Sequence, residues 1–193
     1  MYIPKHFEVK DEAEKLTFIE ANNFGQLISQ VEGRLFSTHL PFLLDRGEMS
    51  LLGHLARQNP QHQSLANQEV LITFQGVHDY ISPSWFKTPG VPTWNYQTVH
   101  VYGQCKVIED ITEIAGIVNA LTSKHEASFK TPWQPEYKQA MLSAIVGIEI
   151  AITEVQGKYK LSQNRPQQDQ SGIVQNLQSI GSRQLAEAMK ENQ

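Results

Sequence analysis

A short run in the first third of the chain combines the residue types that bind a phosphate group. In the run GHLARQNP at positions 53–60, a strand-like alternation ends at Arg57, and Asn59-Pro60 is typical of a helix start. A guanidinium binds phosphate oxygens through paired N–H groups, and the free N–H groups of a helix N-terminus attract the same anion. The run predicts a site for a phosphate monoester. An exposed arginine beside a capped turn is the structural alternative.

A second group of cations follows late in the chain, in KYKLSQNR at positions 158–165. Lys158 and Lys160 share one face if this segment is a strand, because side chains alternate along a strand. Such lysines either protect a solvated strand edge or lie over an anionic cofactor. The residues alone leave both interpretations open.

Four histidines, His39, His54, His78 and His100, fall within or beside strand-like segments. Imidazole is a common metal ligand. Their spacing matches no metal motif, His-Glu-x-x-His does not occur, and carboxylates are not clustered with them. The sequence therefore favours half-buried, hydrogen-bonded histidines and predicts no metal site.

Other catalytic motifs are weaker. Ser82 or Ser84 with His78 and Asp79 would suit a hydrolase, but no Gly-x-Ser-x-Gly elbow is present. Cys105 lies in a strand-like segment, where a cysteine is more often a small core residue than a nucleophile. Neither a Gly-x-Gly-x-x-Gly nor a Walker loop occurs, so a Rossmann or P-loop nucleotide site is not supported.

The elements that must position these residues are mainly strands. A helical pattern begins at the N-cap candidate Asp11, and further helical patterns occupy 110–129, 135–142 and the tail after 165. Strand patterns occupy 26–32, 34–44, 49–56, 70–75, 98–108, 145–155 and 158–161, with hairpin turns expected at 45–48 and at Gly157. This arrangement predicts an α+β fold that is mainly β, in the form of a barrel.

The segment 82–96 has a different character. It carries three prolines among four aromatic residues, which are Trp85, Phe86, Trp94 and Tyr96. Dense proline prevents regular strand pairing, and free aromatic rings are poorly solvated. We therefore expect a loop that packs on a ligand, on a partner subunit or on the domain itself.

Composition limits the class of protein. The chain has 193 residues, a formal charge of −4 and one cysteine. An acidic chain argues against binding dominated by nucleic-acid phosphates, and a single cysteine fits a reducing compartment. We find neither a signal-peptide pattern nor an apolar run long enough to span a bilayer, and we expect a cytoplasmic protein.

The same segments carry a resemblance to a known family. The motifs are MYIP at 1–4, THLPF at 38–42, GHLARQNPQ at 53–61, YISPSW at 80–85, VPTWNY at 91–96 and KLSQNR at 160–165. In this order they closely resemble the PaiB-type FMN-binding negative transcriptional regulators of bacteria. The resemblance extends from Met1 to about Leu177, and Val77 departs from it where proline is expected.

The resemblance implies a split β-barrel over residues 1–165, a C-terminal helical appendage over 166–193, and a homodimer with FMN at its interface. It assigns the phosphate to Arg57 and Asn59, and the Trp94–Tyr96 loop to a cover over the site. The other implied cofactor-binding residues are Thr38, His39, His54, Leu55, Ala56, Ser82, Pro83, Ser84 and Thr98, with Lys160, Gln163 and Asn164 reaching the flavin from the other subunit.

Three functions are compatible with bound FMN. The resemblance implies negative regulation of transcription, although no helix-turn-helix is evident and the chain is acidic. Bound flavin is also redox-active, so a flavin-dependent oxidoreductase acting on a small molecule is the alternative. A flavin carrier or sensor without turnover is the third.

Overall fold

The computed structural model describes residues 1–66 and 68–192. Within them, eight strands form one sheet, paired in the order β3-β2-β6-β7-β8-β5-β4, with β1 also paired to β8. The strands are β1 (Glu8–Val9), β2 (Phe24–Val31), β3 (Arg34–Pro41), β4 (Leu43–Asp45), β5 (Ser50–Ala56), β6 (Glu69–Ile81), β7 (Thr93–Ile108) and β8 (Ile145–Lys160). The mainly β, α+β class predicted from the sequence is confirmed.

Five α-helices accompany the sheet in the described residues. They are α1 (Glu12–Ala21), α2 (Ile111–Glu126), α3 (Gln139–Ser143), α4 (Gln167–Ser179) and α5 (Arg183–Glu191), and single 3-10 turns occupy Lys5–Phe7, Pro60–Ser64 and Pro83–Trp85. Within the part of the chain that the structure describes, no helix combines the length and apolarity that a bilayer crossing requires.

The chain divides into two compact units. The first unit comprises Met1–Lys15, Gln75–Val99 and Gln156–Gln193, and the second comprises Leu16–Phe74 and His100–Val155. A domain division at residue 165 stays a prediction.

The second unit has an apolar core between strands and helix α2. Alternate residues of β8, Val146, Ile148 and Ile150, are fully buried, as the period of two in a strand requires. Ile114, Ile117 and Leu121 of α2 are buried with Ile108 and Leu142, which confirms the predicted helical stripe. Asp110 caps α2 by accepting the N–H groups of Thr112 and Glu113 at 2.9 and 3.0 Å.

Cys105 of β7 belongs to this unit and is 7% exposed. Burial raises the pKa of its thiol to about 12. Because only the thiolate is a strong nucleophile, the thiol is inert near neutral pH. The prediction of a small core residue is confirmed.

The first unit is built around the tail helices. Ile173, Leu177, Leu185 and Met189 are at most 1% exposed, and Ile180 is 59% exposed. The helical pattern predicted after residue 165 therefore forms two helices, which bury their apolar faces inside this unit. Burial of each such side chain stabilises a fold by about 1.5–3 kcal/mol.

The hairpin turn predicted at Gly157 is absent because the chain stays extended there. Residues 145–160 form one strand, β8, without a hairpin at Gly157. A Cβ at Gly157 would lie 2.9 Å from Val9 Cβ, so this glycine allows β1 to approach β8. Conversely, the segment 34–44 breaks into β3 and β4 at the fully buried Phe42.

The proline-rich loop is shorter than predicted. Strand β6 continues to Ile81 and β7 begins at Thr93, one residue after the last proline, so Trp94 and Tyr96 belong to a strand and form no covering loop. Asn95 is fully buried there and exchanges hydrogen bonds with the Ser162 hydroxyl at 3.0 and 3.1 Å. The helix expected over 135–142 is also shorter, since α3 begins at Gln139.

Asp169 at the start of α4 holds the loop that follows Pro83–Trp85. Its fully buried carboxylate accepts the backbone N–H groups of Lys87 and Thr88 at 2.8 and 3.2 Å, and the Thr88 hydroxyl. Arg165 pairs with the same carboxylate at 3.4 Å and lies 3.6 Å from the centre of the Phe86 ring. Buried charges of this kind are stable only when every oxygen has a partner.

We expect Asp169→Asn to weaken the acid sensitivity of the fold. Hydrogen bonds from the Thr88 side chain, and then from the backbone of Lys87 and Thr88, hold the Asp169 pKa below its ordinary value. Their stabilisation is therefore complete above a pH of about 4 and is lost as pH falls through the folded-state pKa. Thermal unfolding between about pH 2 and 7 measures it. An equally steep acid loss in Asp169→Asn and in the native protein would contradict this role.

Candidate functional site

Arg57 lies just after β5, in the second unit, and its guanidinium is partly engaged. Nε donates to Ser143 O at 2.9 Å, Nη2 donates to Ile145 O at 3.2 Å, and Nη1 lies 3.6 Å from Glu109 Oε1. The side chain is 40% exposed. A guanidinium has five N–H donors, so Arg57 is fixed through two of them and keeps others for an anion. Sequence reasoning did not foresee its anchoring carbonyls.

Asn59 and Thr38 meet in a polar network. Asn59 Oδ1 accepts Gln61 N at 3.0 Å, which caps the 3-10 turn Pro60–Ser64, and this confirms the predicted cap. Asn59 Nδ2 donates to Thr38 Oγ1 at 2.9 Å, and Thr38 Oγ1 donates to Gln61 Oε1 at 2.6 Å. The turn after Arg57 is thereby tied to β3.

Gln61 is the centre of this network, although it was not among the predicted site residues. It is fully buried, and its Nε2 donates to Ser29 Oγ at 2.8 Å and to Leu27 O at 3.3 Å. The available signal was its place at the end of the motif GHLARQNPQ. A buried glutamine with all its partners fixes one conformation of the chain around it.

We expect Gln61→Leu to lower the free energy of unfolding by about 1–3 kcal/mol, because it leaves buried polar partners unsatisfied. Urea denaturation measures the change. Gln58→Leu is the matched control, since Gln58 is exposed just before the 3-10 turn and should change stability little. Equal stability of the native protein and Gln61→Leu would refute the proposed anchor.

The β5 residues before Arg57 alternate in exposure. Leu55 is 2% exposed and joins the core, whereas Ala56 is exposed and His54 is half-buried. Among the described residues, the buried Nδ1 atom of His54 has no hydrogen-bond partner. Burial lowers the pKa of His54, so the ring is neutral at pH 7. A neutral imidazole with an unused nitrogen is able to bind a polar group of a ligand.

The predicted environment of the histidines is wrong in part. His39 and His78 are exposed, and His39 stacks on Phe24 with ring centres 6.3 Å apart. His54 and His100 are half-buried, but Nδ1 of each is without a partner in the described residues. Within 1–66 and 68–192, no group of three or more metal-binding side chains is arranged to hold a metal ion.

Four further predicted residues lie in the first unit, and three of them form a turn. Ser82 accepts Ser84 N at 3.2 Å and shares a hydrogen bond with Ser84 Oγ at 2.7 Å, and Pro83 occupies the first turn position. His78 bonds instead to Gly76 O at 3.2 Å and to Gln75. The bonds of Ser82 and Ser84 form a capped turn, not a catalytic triad. Thr98, the fourth residue, is half-buried in β7.

Lys160, Gln163 and Asn164 lie at the end of β8 in the first unit. Lys160 Nζ donates to Trp94 O at 2.6 Å and to the Thr93 hydroxyl. Gln163 accepts Leu161 N at 2.7 Å and donates to Tyr159 O at 2.5 Å, and Asn164 is exposed. The interpretation of a solvated strand edge is wrong for Lys158, which is 8% exposed where β8 pairs with β1.

The second-unit residues have the chemistry that a flavin phosphate needs. FMN carries a doubly charged phosphate and a large planar ring with polar edges. Arg57 supplies an anchored cation that keeps N–H donors for a ligand. The 3-10 turn capped by Asn59 supplies a fixed backbone. His54 Nδ1 supplies a buried polar atom that has no partner among the described residues. The chemistry of these residues fits such a group.

Comparison with known proteins agrees with this chemistry. Residues 1–154 match the family described as "Putative FMN-binding domain". The chain therefore belongs to this FMN-binding family, and FMN is its cofactor.

Named relatives lie across bacteria and fungi. The chain is 37% identical over 202 residues to the protease synthase and sporulation protein PAI 2 of Bacillus subtilis, with 99% of this chain and 97% of that protein covered. It is 30% identical over 212 residues to the uncharacterized protein AN0679 of Emericella nidulans, covering 84% of each chain. The first similarity confirms the resemblance to the PaiB-type proteins.

Solved structures with a similar fold are remote in sequence. The flavocytochrome Anf3 of Azotobacter vinelandii is 14% identical with a TM-score of 0.67, over 86% of this chain and 75% of that one. An FAD and heme binding protein of Mycobacterium smegmatis is 13% identical with a TM-score of 0.64, over 79% and 73%. The fold is therefore the predicted split-barrel type found among flavin-binding proteins.

Proposed function

We propose that this chain is a cytoplasmic, FMN-binding negative regulator of transcription, in which Arg57 and Asn59 hold the flavin phosphate. The observation that carries the proposal is the Arg57 geometry within a matched FMN-binding family domain. PAI 2, similar along the full length, is described as a sporulation protein, which supports a regulatory role. The single cysteine fits a reducing compartment.

The anchoring of Arg57 explains how a surface arginine becomes a phosphate ligand. Its bonds to Ser143 O and Ile145 O fix the side chain before any ligand arrives. A preorganised cation loses less conformational entropy on binding than a free one. Glu109, at 3.6 Å, balances the charge while the site is free. Phosphate binding then replaces one weak, exposed ion pair with a stronger interaction.

The flavin ring requires more cover than one exposed strand edge provides. Edge strand β3 carries exposed Leu35 and His39, and Phe24 beside it is also exposed. An exposed, partly apolar edge strand is a surface on which a second chain pairs or packs. We assign it to a homodimer interface, where the Lys160 segment of the second protomer reaches the flavin.

Absorption spectroscopy and sedimentation test the cofactor and the dimer together. Titration of flavin-free protein with FMN is expected to give one flavin per chain, with perturbed flavin absorption bands. Sedimentation of the FMN-bound protein at micromolar concentration is expected to show a dimer. A monomer with tightly bound FMN would remove the shared interface, and failure to bind FMN would remove the proposed function.

DNA binding and redox turnover separate regulation from catalysis. We expect the protein to regulate transcription without the salt-sensitive, nonspecific DNA binding that basic proteins show, because the chain is acidic. A gel-shift assay with genomic DNA fragments, repeated at two salt concentrations, measures direct contact. Steady oxidation of NADH by the FMN-bound protein would instead assign the flavin to the oxidoreductase alternative.

A further inference from the structure

The first unit has an exposed group of aromatic rings on β6 and β7. Trp94 is 52% exposed and Tyr80 40% exposed, and their rings meet edge to face with centres 6.2 Å apart. The His78 ring lies 6.4 Å from Trp94 and is tilted by 33°. Exposure of large aromatic side chains to water is unfavourable in free energy, and a cluster of them marks a binding surface. We refer to Tyr80, Trp94 and His78 as the aromatic patch.

A cation lies at the backbone of the same patch. Lys160 Nζ is 2.6 Å from the carbonyl oxygen of Trp94 and also bonds the Thr93 hydroxyl. Partial burial lowers the pKa of Lys160, and the neighbouring Lys158 and Arg165 lower it further. This crowding of like charges favours an anion beside Lys160.

The nearby carboxylates do not neutralise this charge. The Asp169 carboxylate is used by Arg165, by Thr88 and by the Lys87 backbone. Lys158 is 8% exposed and bonds Tyr2 O at 3.1 Å, with the Tyr2 and Tyr96 rings beside it. Within 1–66 and 68–192, neither Lys158 nor Lys160 forms an ion pair with a carboxylate.

We propose that the aromatic patch and Lys160 bind a small planar aromatic anion. A ring covers the exposed indole and phenol, and a carboxylate or phosphate supplies the missing counter-ion for Lys160. A neutral ring leaves the lysine unpaired, and an aliphatic anion leaves the aromatic rings in water.

Three probes that differ in one property each test this specificity. The probes are 2-naphthoate, its neutral amide, and cyclohexanecarboxylate, each titrated by calorimetry into flavin-free and FMN-saturated protein. We expect 2-naphthoate to bind about tenfold more tightly than either of the others, as the loss of one charged or one stacked contact implies. Equal affinity for acid and amide would overturn the proposal.

Variants locate the binding. Trp94→Leu and Lys160→Gln are each expected to weaken the binding of 2-naphthoate about tenfold. Trp133→Phe and Lys106→Gln are the matched controls: Trp133 is 51% exposed in the second unit, and Lys106 is an exposed lysine of β7. The assignment would be overturned if either control weakened the binding of 2-naphthoate as much as Trp94→Leu does. Circular dichroism shows whether each variant is folded. If a variant does not fold, the affinities of the native protein for the three probes still test the proposal.

Competition distinguishes this proposal from the flavin site itself. If FMN displaces 2-naphthoate, the patch belongs to the flavin site and the proposal fails. If Trp94→Leu dissociates a dimer and the native dimer does not bind 2-naphthoate, the second copy covers the patch, which also overturns the proposal. Absent FMN binding with the 2-naphthoate preference intact would refute the proposed function while leaving recognition of the aromatic anion in place.

Discussion

Replacing Arg57 with alanine is expected to weaken FMN binding by about 1–3 kcal/mol, a loss of roughly 5- to 150-fold in affinity. Alanine removes the charge-assisted donors that would meet the phosphate. It also removes the bonds to Ser143 O and Ile145 O that fix the site. Equilibrium titration followed by flavin fluorescence measures the affinity of the native protein and the variant.

Two further variants separate the roles of Arg57. Arg57→Lys keeps the charge but not the planar fork, so it is expected to recover only part of the affinity. Arg46→Ala is the matched control, since Arg46 is similarly exposed, 42% against 40%, and pairs with Glu20 at 2.6 Å. We expect this control to bind FMN like the native protein. Unchanged affinity in Arg57→Ala would exclude Arg57 from the site.

Gly103→Ala is expected to destabilise the fold by about 2–3 kcal/mol through overpacking. A Cβ at Gly103 would lie 2.5 Å from Ala151 O and 2.5 Å from Ile150 Cγ2. The backbone of β8 cannot move aside without losing the buried contacts of Ile150. Chemical denaturation measures the loss, which corresponds to a fall in Tm of about 4–12 °C for a chain of this size.

Gly116→Ala tests whether crowding, and not loss of glycine, causes this effect. Gly116 lies inside helix α2, and, apart from its chain neighbours and the helix backbone, no atom of the described residues lies within 4 Å of a Cβ built there. Alanine has the higher helix propensity, so the variant is expected to gain about 0.5–1 kcal/mol. Loss of stability in both variants would show that the space around these positions is not the deciding factor.

Local patterns predicted the elements whose signals are local. The α2 stripe, the β4–β5 hairpin and the Asn59 cap all follow from side-chain period and capping chemistry. The end of β6, the start of β7 and the absence of a turn at Gly157 were not predicted, for a nonlocal reason. Gly157 looked like a turn residue, yet it serves the close approach of Val9 from a strand nearly 150 residues earlier.

Prediction of the site followed the same division. The motif GHLARQNPQ identified Arg57 and Asn59 as candidates, but not that two carbonyls near α3 anchor the guanidinium. Gln61 and Asn95 are buried amides whose side-chain partners lie more than 20 residues away in sequence. Side-chain period cannot indicate such partners, because they depend on tertiary packing.

The buried, protonated thiol of Cys105 has a practical consequence for spectroscopy. The chain contains one cysteine, and burial keeps it unreactive near neutral pH. A cysteine introduced at an exposed position would therefore be the fastest-reacting thiol in the molecule. Paired spin or dye labels at such positions would measure distances in the native background, without first replacing the endogenous residue.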